Sequence, residues 1–288
     1  MVDRLQAPVA SLETYPKQTR PVMGSPMKEH RAMWFDNHCH FTSMKADTDE
    51  ALDAAQAAGV TRFLTVGCTI DDSQAAISIA AQHNQVWATA GVHPHSAKDG
   101  IDGLEPLLSQ PKVVGVGECG LDYYYDNSPR AEQRSVFAAQ IDLALKHDLA
   151  LVIHSREAWD ETFEILATQG VPARTIFHCF TGGPTELDRC MEIGAYVSFS
   201  GIVTYPSAPE LQQAAQMVPL EQMMVETDSP YLAPVPVRGK ANQPANVRHV
   251  GEFIANLRDV SAAELAQITT ANTMNAYGIT EDDATVGS

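Results

Sequence analysis

The chain has 288 residues, 44% of them apolar, and a formal net charge of −17, enough to bury a large core as one domain of α/β-barrel size or as two smaller ones. The negative balance excludes a broad basic surface that grips nucleic acid by counterion release. No apolar run approaches the roughly 20 residues of a membrane span, and the start of the chain lacks the apolar stretch of about 7 to 15 residues of a signal peptide.

Five cysteines without a CxxC pair suit free thiols in a reducing compartment rather than a disulfide framework. The expectation is a soluble, cytoplasmic protein with no membrane contact and no obligate protein partner.

Residues 1–32 carry Pro8, Pro16, Pro21 and Pro26 among scattered charges without an apolar period, which predicts a flexible extension or a strap. From residue 33 to 280, short strand-like runs alternate with helical runs of ten or more residues. The predicted strands are Met33–His40, Arg62–Cys68, Val86–His93, Val113–Asp122, Ala150–Arg156, Thr175–Phe180, Ala195–Gly201 and Met223–Asp228.

Helical runs between them include Thr48–Ala58, Asp72–His83, Pro129–His147, Glu157–Thr168 and Pro184–Ile193, several of them entered by a Ser, Thr, Asp or Pro start signal. Eight βα units predict a single-domain (β/α)8 TIM barrel. An open doubly wound sheet would offer a Gly-rich loop after its first strand, and Asn37–Thr42 has no glycine. Residues 281–288 read as a small acidic tail.

The predicted strands end in metal-binding chemistry. Asp36, His38 and His40 recur at every second residue, so strand alternation puts the two imidazoles on one face, where they can chelate one cation. Glu118 lies in the apolar, glycine-rich run Gly115–Asp122, where a carboxylate is costly to desolvate without a partner such as a cation. His154, His178 and Asp228 each close an apolar run, at the strand ends where barrels place their active sites.

These nitrogen and oxygen donors suit two divalent cations, Mg, Mn or Zn. The expected arrangement has Glu118 bridging, with His38, His40 and Asp228 on one ion and His154 and His178 on the other. Two ions about 3.5–4 Å apart can steady the attacking and leaving oxygens of an in-line displacement and lower the pKa of a bridging water, whose proton Asp228 is placed to take. Even with both carboxylates counted, the mouth keeps a surplus of about two positive charges. Cys39, Cys119 and Cys179 are sequence neighbours of the ligands, so alternation turns them to the opposite face as packing residues; Cys68 and Cys190 receive no role.

The segments Asp36–His40, Gly91–His95, Gly117–Tyr123, Ile153–Arg156, His178–Gly182 and Glu226–Leu232, followed by Arg238-Gly239-Lys240, Asn242 and Pro244, resemble the TatD-like metal-dependent deoxyribonucleases, a branch of the amidohydrolase barrels. They run in family order from residue 35 to about 250. The resemblance implies a two-metal barrel whose substrate is single-stranded DNA or another nucleic acid, cut 3′ to 5′ as an exonuclease, with Glu118 and Asp228 as catalytic groups. It also implies that His93, His95, Arg156 and Arg238 face the substrate.

Glu226 shares strand parity with Asp228 and is expected to orient a ligand. Tyr123, Tyr124, Tyr125 and Tyr231 are candidates for base stacking or rim packing. Two departures from the family pattern are the N-terminal extension and Gln243, where an acid is expected. Two other functions stay open: hydrolysis of a small ester, lactone or amide by the same centre, and a non-catalytic barrel stabilised by its metals. The HxE and PCxxC signature of zinc deaminases and the GxSxG elbow are absent.

Overall fold

The computed structural model describes residues 32–280; the predicted extension and acidic tail lie outside them, save for Ala32. Eight parallel strands form one sheet in chain order: β1 (Trp34–Cys39), β2 (Val60–Val66), β3 (Val86–Ala90), β4 (Val113–Asp122), β5 (Ala150–Arg156), β6 (Thr175–Phe177), β7 (Tyr196–Phe199) and β8 (Met223–Val225). The seam between β8 and β1 is closed just past β8, where Asp228 N donates to His38 O at 2.9 Å and His40 N to Ser229 O at 2.8 Å. The result is the TIM barrel that the alternating pattern predicts.

The helices are α1 (Thr48–Ala57), α2 (Ile70–Gln82), α3 (Arg130–His147), α4 (Trp159–Gln169), α5 (Pro184–Glu192), α6 (Pro209–Met217), α7 (Val247–Leu257) and α8 (Ala262–Tyr277). Their starts follow local chemistry: the side chains of Asp47, Thr69 and Ser261 accept from the backbone N–H of Asp49, Asp72 and Glu264, satisfying donors that the first turn leaves orphaned.

The eight βα units are not uniform. Between β3 and β4 the chain forms two 3-10 segments, Pro94–Asp99 and Glu105–Ser109, in place of an α-helix. Pro94, Pro106 and the positive-φ Gly100 and Gly103 interrupt any longer helix there. Two helices, α7 and α8, follow β8 instead.

The barrel interior is filled by Phe35, Leu64, Trp87, Val152, Ile176 and Met224, each from a different strand, packed with Met274 and Tyr277 at the end of α8. All six are at most 2% exposed, and burial of each contributes roughly 1.5–3 kcal/mol. A larger cluster, with Trp34, Phe63, Phe137, Phe177 and Ile254 among its members, packs the helices onto the outside of the barrel.

Several strands are shorter than the sequence predicts. β3 stops at Ala90 rather than His93, β6 at Phe177 rather than Phe180, and β8 at Val225 rather than Asp228. His93, His178 and Asp228 therefore sit on rim loops just past their strands. Cys179 and Asp228 take left-handed backbone conformations, φ 40° and 54°, which no residue of an extended ladder can hold.

Candidate metal centre at the barrel mouth

Two register shifts in the sheet aim the site residues. One lies in β1 between Asp36 and Cys39, the other in β4 between Val116 and Cys119. Such irregularities re-aim side chains next to functional sites. In β1, Phe35 points into the barrel and the Asn37 amide donates to Ser198 Oγ and Val225 O, while His38 and His40 still come together, ring centroids 5.0 Å apart. Strict alternation cannot put Asn37 and its neighbour His38 on one face; the shift does.

In β4, Gly117 has φ 141° and a Cβ there would lie 2.6 Å from Val152 O, so only glycine fits beside Glu118.

Glu118 is the centre of the cluster, 3% exposed. Its Oε2 lies 3.3 Å from His38 Nε2 and 3.7 Å from His40 Nε2. Its Oε1 lies 2.8 Å from His178 Nε2, 2.9 Å from His154 Nδ1 and 3.3 Å from His93 Nε2. Asp228 Oδ1 is 3.2 Å from His40 Nε2 and 3.8 Å from His38 Nε2. All six predicted ligands are thus brought together from five strands or the loops that follow them.

His93 joins this set. The sequence expectation gave it to the substrate, whereas its Nε2 faces the same carboxylate oxygen as His154. Three groups have donor atoms within 4.8 Å of one another: His38, His40 and Glu118; His38, His178 and Asp228; and His93, Glu118 and His154.

A ring of partners fixes these side chains. Glu226 Oε1 accepts from Cys179 N at 2.8 Å and stands 3.4 Å from His178 Nδ1. Asp122 Oδ2 lies 3.2 Å from His154 Nε2 and 3.1 Å from His95 Nε2. Its Oδ1 accepts from the backbone N–H of Tyr124 and Tyr125 at 3.0 and 2.9 Å. Asp36 accepts from Thr227 N and Thr227 Oγ1, which pins the turn before Asp228.

The sequence reading gave Asp122 no role, although residues 118, 120 and 122 share strand parity and signal it. Cys68 is also closer than expected, its Sγ 3.8 Å from both His40 Nδ1 and Glu118 Oε2. Cys39 and Cys119 are fully buried packing residues as alternation predicts. Cys179 is not: it lies beyond β6, half-buried, with Sγ 3.2 Å from Ser200 Oγ.

Among the expected substrate-facing groups, the Arg156 guanidinium stacks on Tyr124 and Tyr125, 4.0 and 4.8 Å from the ring centroids. Arg238 stacks on Tyr205 at 4.1 Å.

Burial and the neighbouring charges set the electrostatics of the cluster. Burial lowers the His178 pKa, but the Glu118 and Glu226 carboxylates outweigh it and push it up to about 10. Burial pushes Glu118 up, yet the histidines, His178 foremost, hold it well below its ordinary value. Burial drives His93 down to about 4 against the pull of Glu118.

His38 is fully buried, and neither of its ring nitrogens has a hydrogen-bond partner among the described residues. Buried polar atoms are rarely left so, and an imidazole nitrogen beside two carboxylates fits a divalent cation.

A family model described as TatD related DNase matches residues 35–278. The chain is 38% identical over 252 residues to an uncharacterized metal-dependent hydrolase, YcfH, of Escherichia coli K12, covering 85% of this chain and 95% of that one. It is 34% identical over 258 residues to the 3'-5' ssDNA/RNA exonuclease TatD of the same organism, covering 85% and 99%. Among solved structures, YJJV, a TatD homolog from Escherichia coli K12, superposes with a TM-score of 0.81 at 28% identity, covering 86% of this chain and 99% of that one.

Proposed function

Because the chain belongs to the TatD-related DNase family of metal-dependent hydrolases, we propose that it is a phosphodiesterase that shortens single-stranded DNA from its 3′ end with two divalent cations at the barrel mouth. The carrying observation is the division of one buried carboxylate: Glu118 Oε2 faces His38 and His40, while Oε1 faces His93, His154 and His178. A single carboxylate shared between two imidazole groups suits a pair of cations. The name of the exonuclease relative supports nucleic acid as the substrate.

In this reading His38, His40, Glu118, His154, His178 and Asp228, with His93 beside them, are the residues that would hold the cations. When bound, Mg, Mn or Zn would supply Lewis-acid stabilisation of the phosphate oxygens and a more acidic water. Asp228, with a side chain 14% exposed against 4% for Glu118, is the carboxylate of the pair more open to the mouth and accepts the attacking water's proton. Glu226 orients His178, and Asp122 orients His154 and His95. His95 and Arg156 face the phosphate on one side of the mouth, with Arg238 on another loop; the planar guanidinium can donate two hydrogen bonds to one phosphate.

The test is degradation of a 5′-labelled single-stranded oligonucleotide by chelator-stripped protein with Mg, Mn or Zn restored and Asp228→Asn alongside. A cation-dependent ladder that shortens from the 3′ end and vanishes in the variant is expected. Intact oligonucleotide under every cation, from folded and cation-loaded protein, would reassign the centre to a small ester, lactone or amide.

A further inference from the structure

The aromatic side chains left most exposed among the described residues all stand at the mouth: Tyr124 at 55%, Tyr125 at 54% and Tyr231 at 55%. They form two platforms on different strands' loops. Tyr124 and Tyr125 follow β4, while Tyr231 follows β8, four strands away in an eight-stranded barrel and so on the opposite side of the opening.

Each platform abuts the centre. The Tyr125 ring meets His95 edge-on at 5.5 Å, and the Tyr231 ring meets His40 at 6.0 Å. Both stand on fixed backbone. Asp122 takes the N–H groups of Tyr124 and Tyr125. Tyr231 N donates to Asp228 O at 2.9 Å, and Asn242 Nδ2 donates to Tyr231 O at 2.7 Å. The backbone beneath each ring is thus ordered before binding, which lowers the cost of ordering these loops.

Resting on the nuclease reading, we propose that these two platforms stack the bases on either side of the scissile phosphodiester, one nucleotide on Tyr231 and its neighbour on the Tyr124–Tyr125 pair. The charge balance favours stacking: at −17, the surface cannot draw much affinity from neutralising phosphates. Aromatic faces supply affinity without charge and tolerate any base. Arg156, packed on Tyr124 and Tyr125, gives that platform its phosphate contact.

The experiment compares the cation-loaded protein on four single strands of one length: fully base-bearing, abasic only on the 3′ side of the cut linkage, abasic only on its 5′ side, and fully abasic. Wild type is expected to lose about tenfold or more in kcat/KM for each missing base, mostly through KM. Tyr231→Ala should erase the discrimination on one side, and Tyr124→Ala with Tyr125→Ala that on the other. Phenylalanine at the same positions should restore both. Equal cleavage of all four strands by wild type overturns the proposal and leaves the nuclease reading standing. Cleavage of none of them overturns both.

Discussion

Asp122 is a carboxylate whose two oxygens face two different structures, imidazoles on one side and the Tyr124–Tyr125 backbone on the other. Replacing it with Asn exchanges an acceptor for a donor at one of those faces, so His154 loses its orientation. Asp122→Asn should weaken divalent-cation affinity about 10–100-fold, read by calorimetric titration; unchanged affinity would make Asp122 a loop anchor only.

The proton on His178 gives a pH dependence. In cation-free protein its pKa is raised from 6.5 to about 10. Its contribution to stability is therefore complete below about 6.5 and is lost as pH rises toward about 10. A cation held by His178 as proposed would displace that proton, so cation affinity should rise across the same window with proton release, measurable by titration in buffers of different ionisation enthalpy. Affinity flat from pH 6.5 to 9 would contradict this.

At the scale of elements, the strands and several helices were legible because apolar runs and start signals are local. The rim was not. Asn37 and His38 are adjacent yet both reach inward, because the register of β1 shifts. Likewise Gly120 holds β4 against β5: its φ is 134°, and a Cβ would overlap the His154 carbonyl oxygen. Gly120→Ala should destabilise the fold by about 1–3 kcal/mol and loosen His154, seen together in denaturant unfolding and cation titration. A loss of stability without loss of cation affinity would separate the strand from the site.

For the whole molecule, the carboxylate and imidazole cluster is satisfied by protons only in part, so cations should bind the folded state far better than the unfolded one. Restoring a divalent cation at about 100 times its Kd should add about 2.7 kcal/mol, a rise in Tm of roughly 5–10 °C for a domain of this size, followed by calorimetry. The acidic surface makes a second prediction. On the proposed assignment of Arg156 and Arg238 to the phosphate, about two counterions would be released, and affinity for single strands should fall with log salt at a slope near −1.4. A slope several times steeper would reveal a basic surface elsewhere.

The sequence by itself determined the alternation of strand and helix, and with it the barrel; it also marked His38, His40, Glu118, His154, His178 and Asp228, since each closes or interrupts an apolar run where a polar group needs a reason. Tertiary structure alone decided how those groups meet. Which oxygen of Glu118 each histidine faces, the entry of His93 into the cluster, and the double service of Asp122 depend on register shifts, left-handed rim residues and strands four apart in the barrel. Those are relations among segments distant in sequence, fixed only when the sheet closes and its core packs.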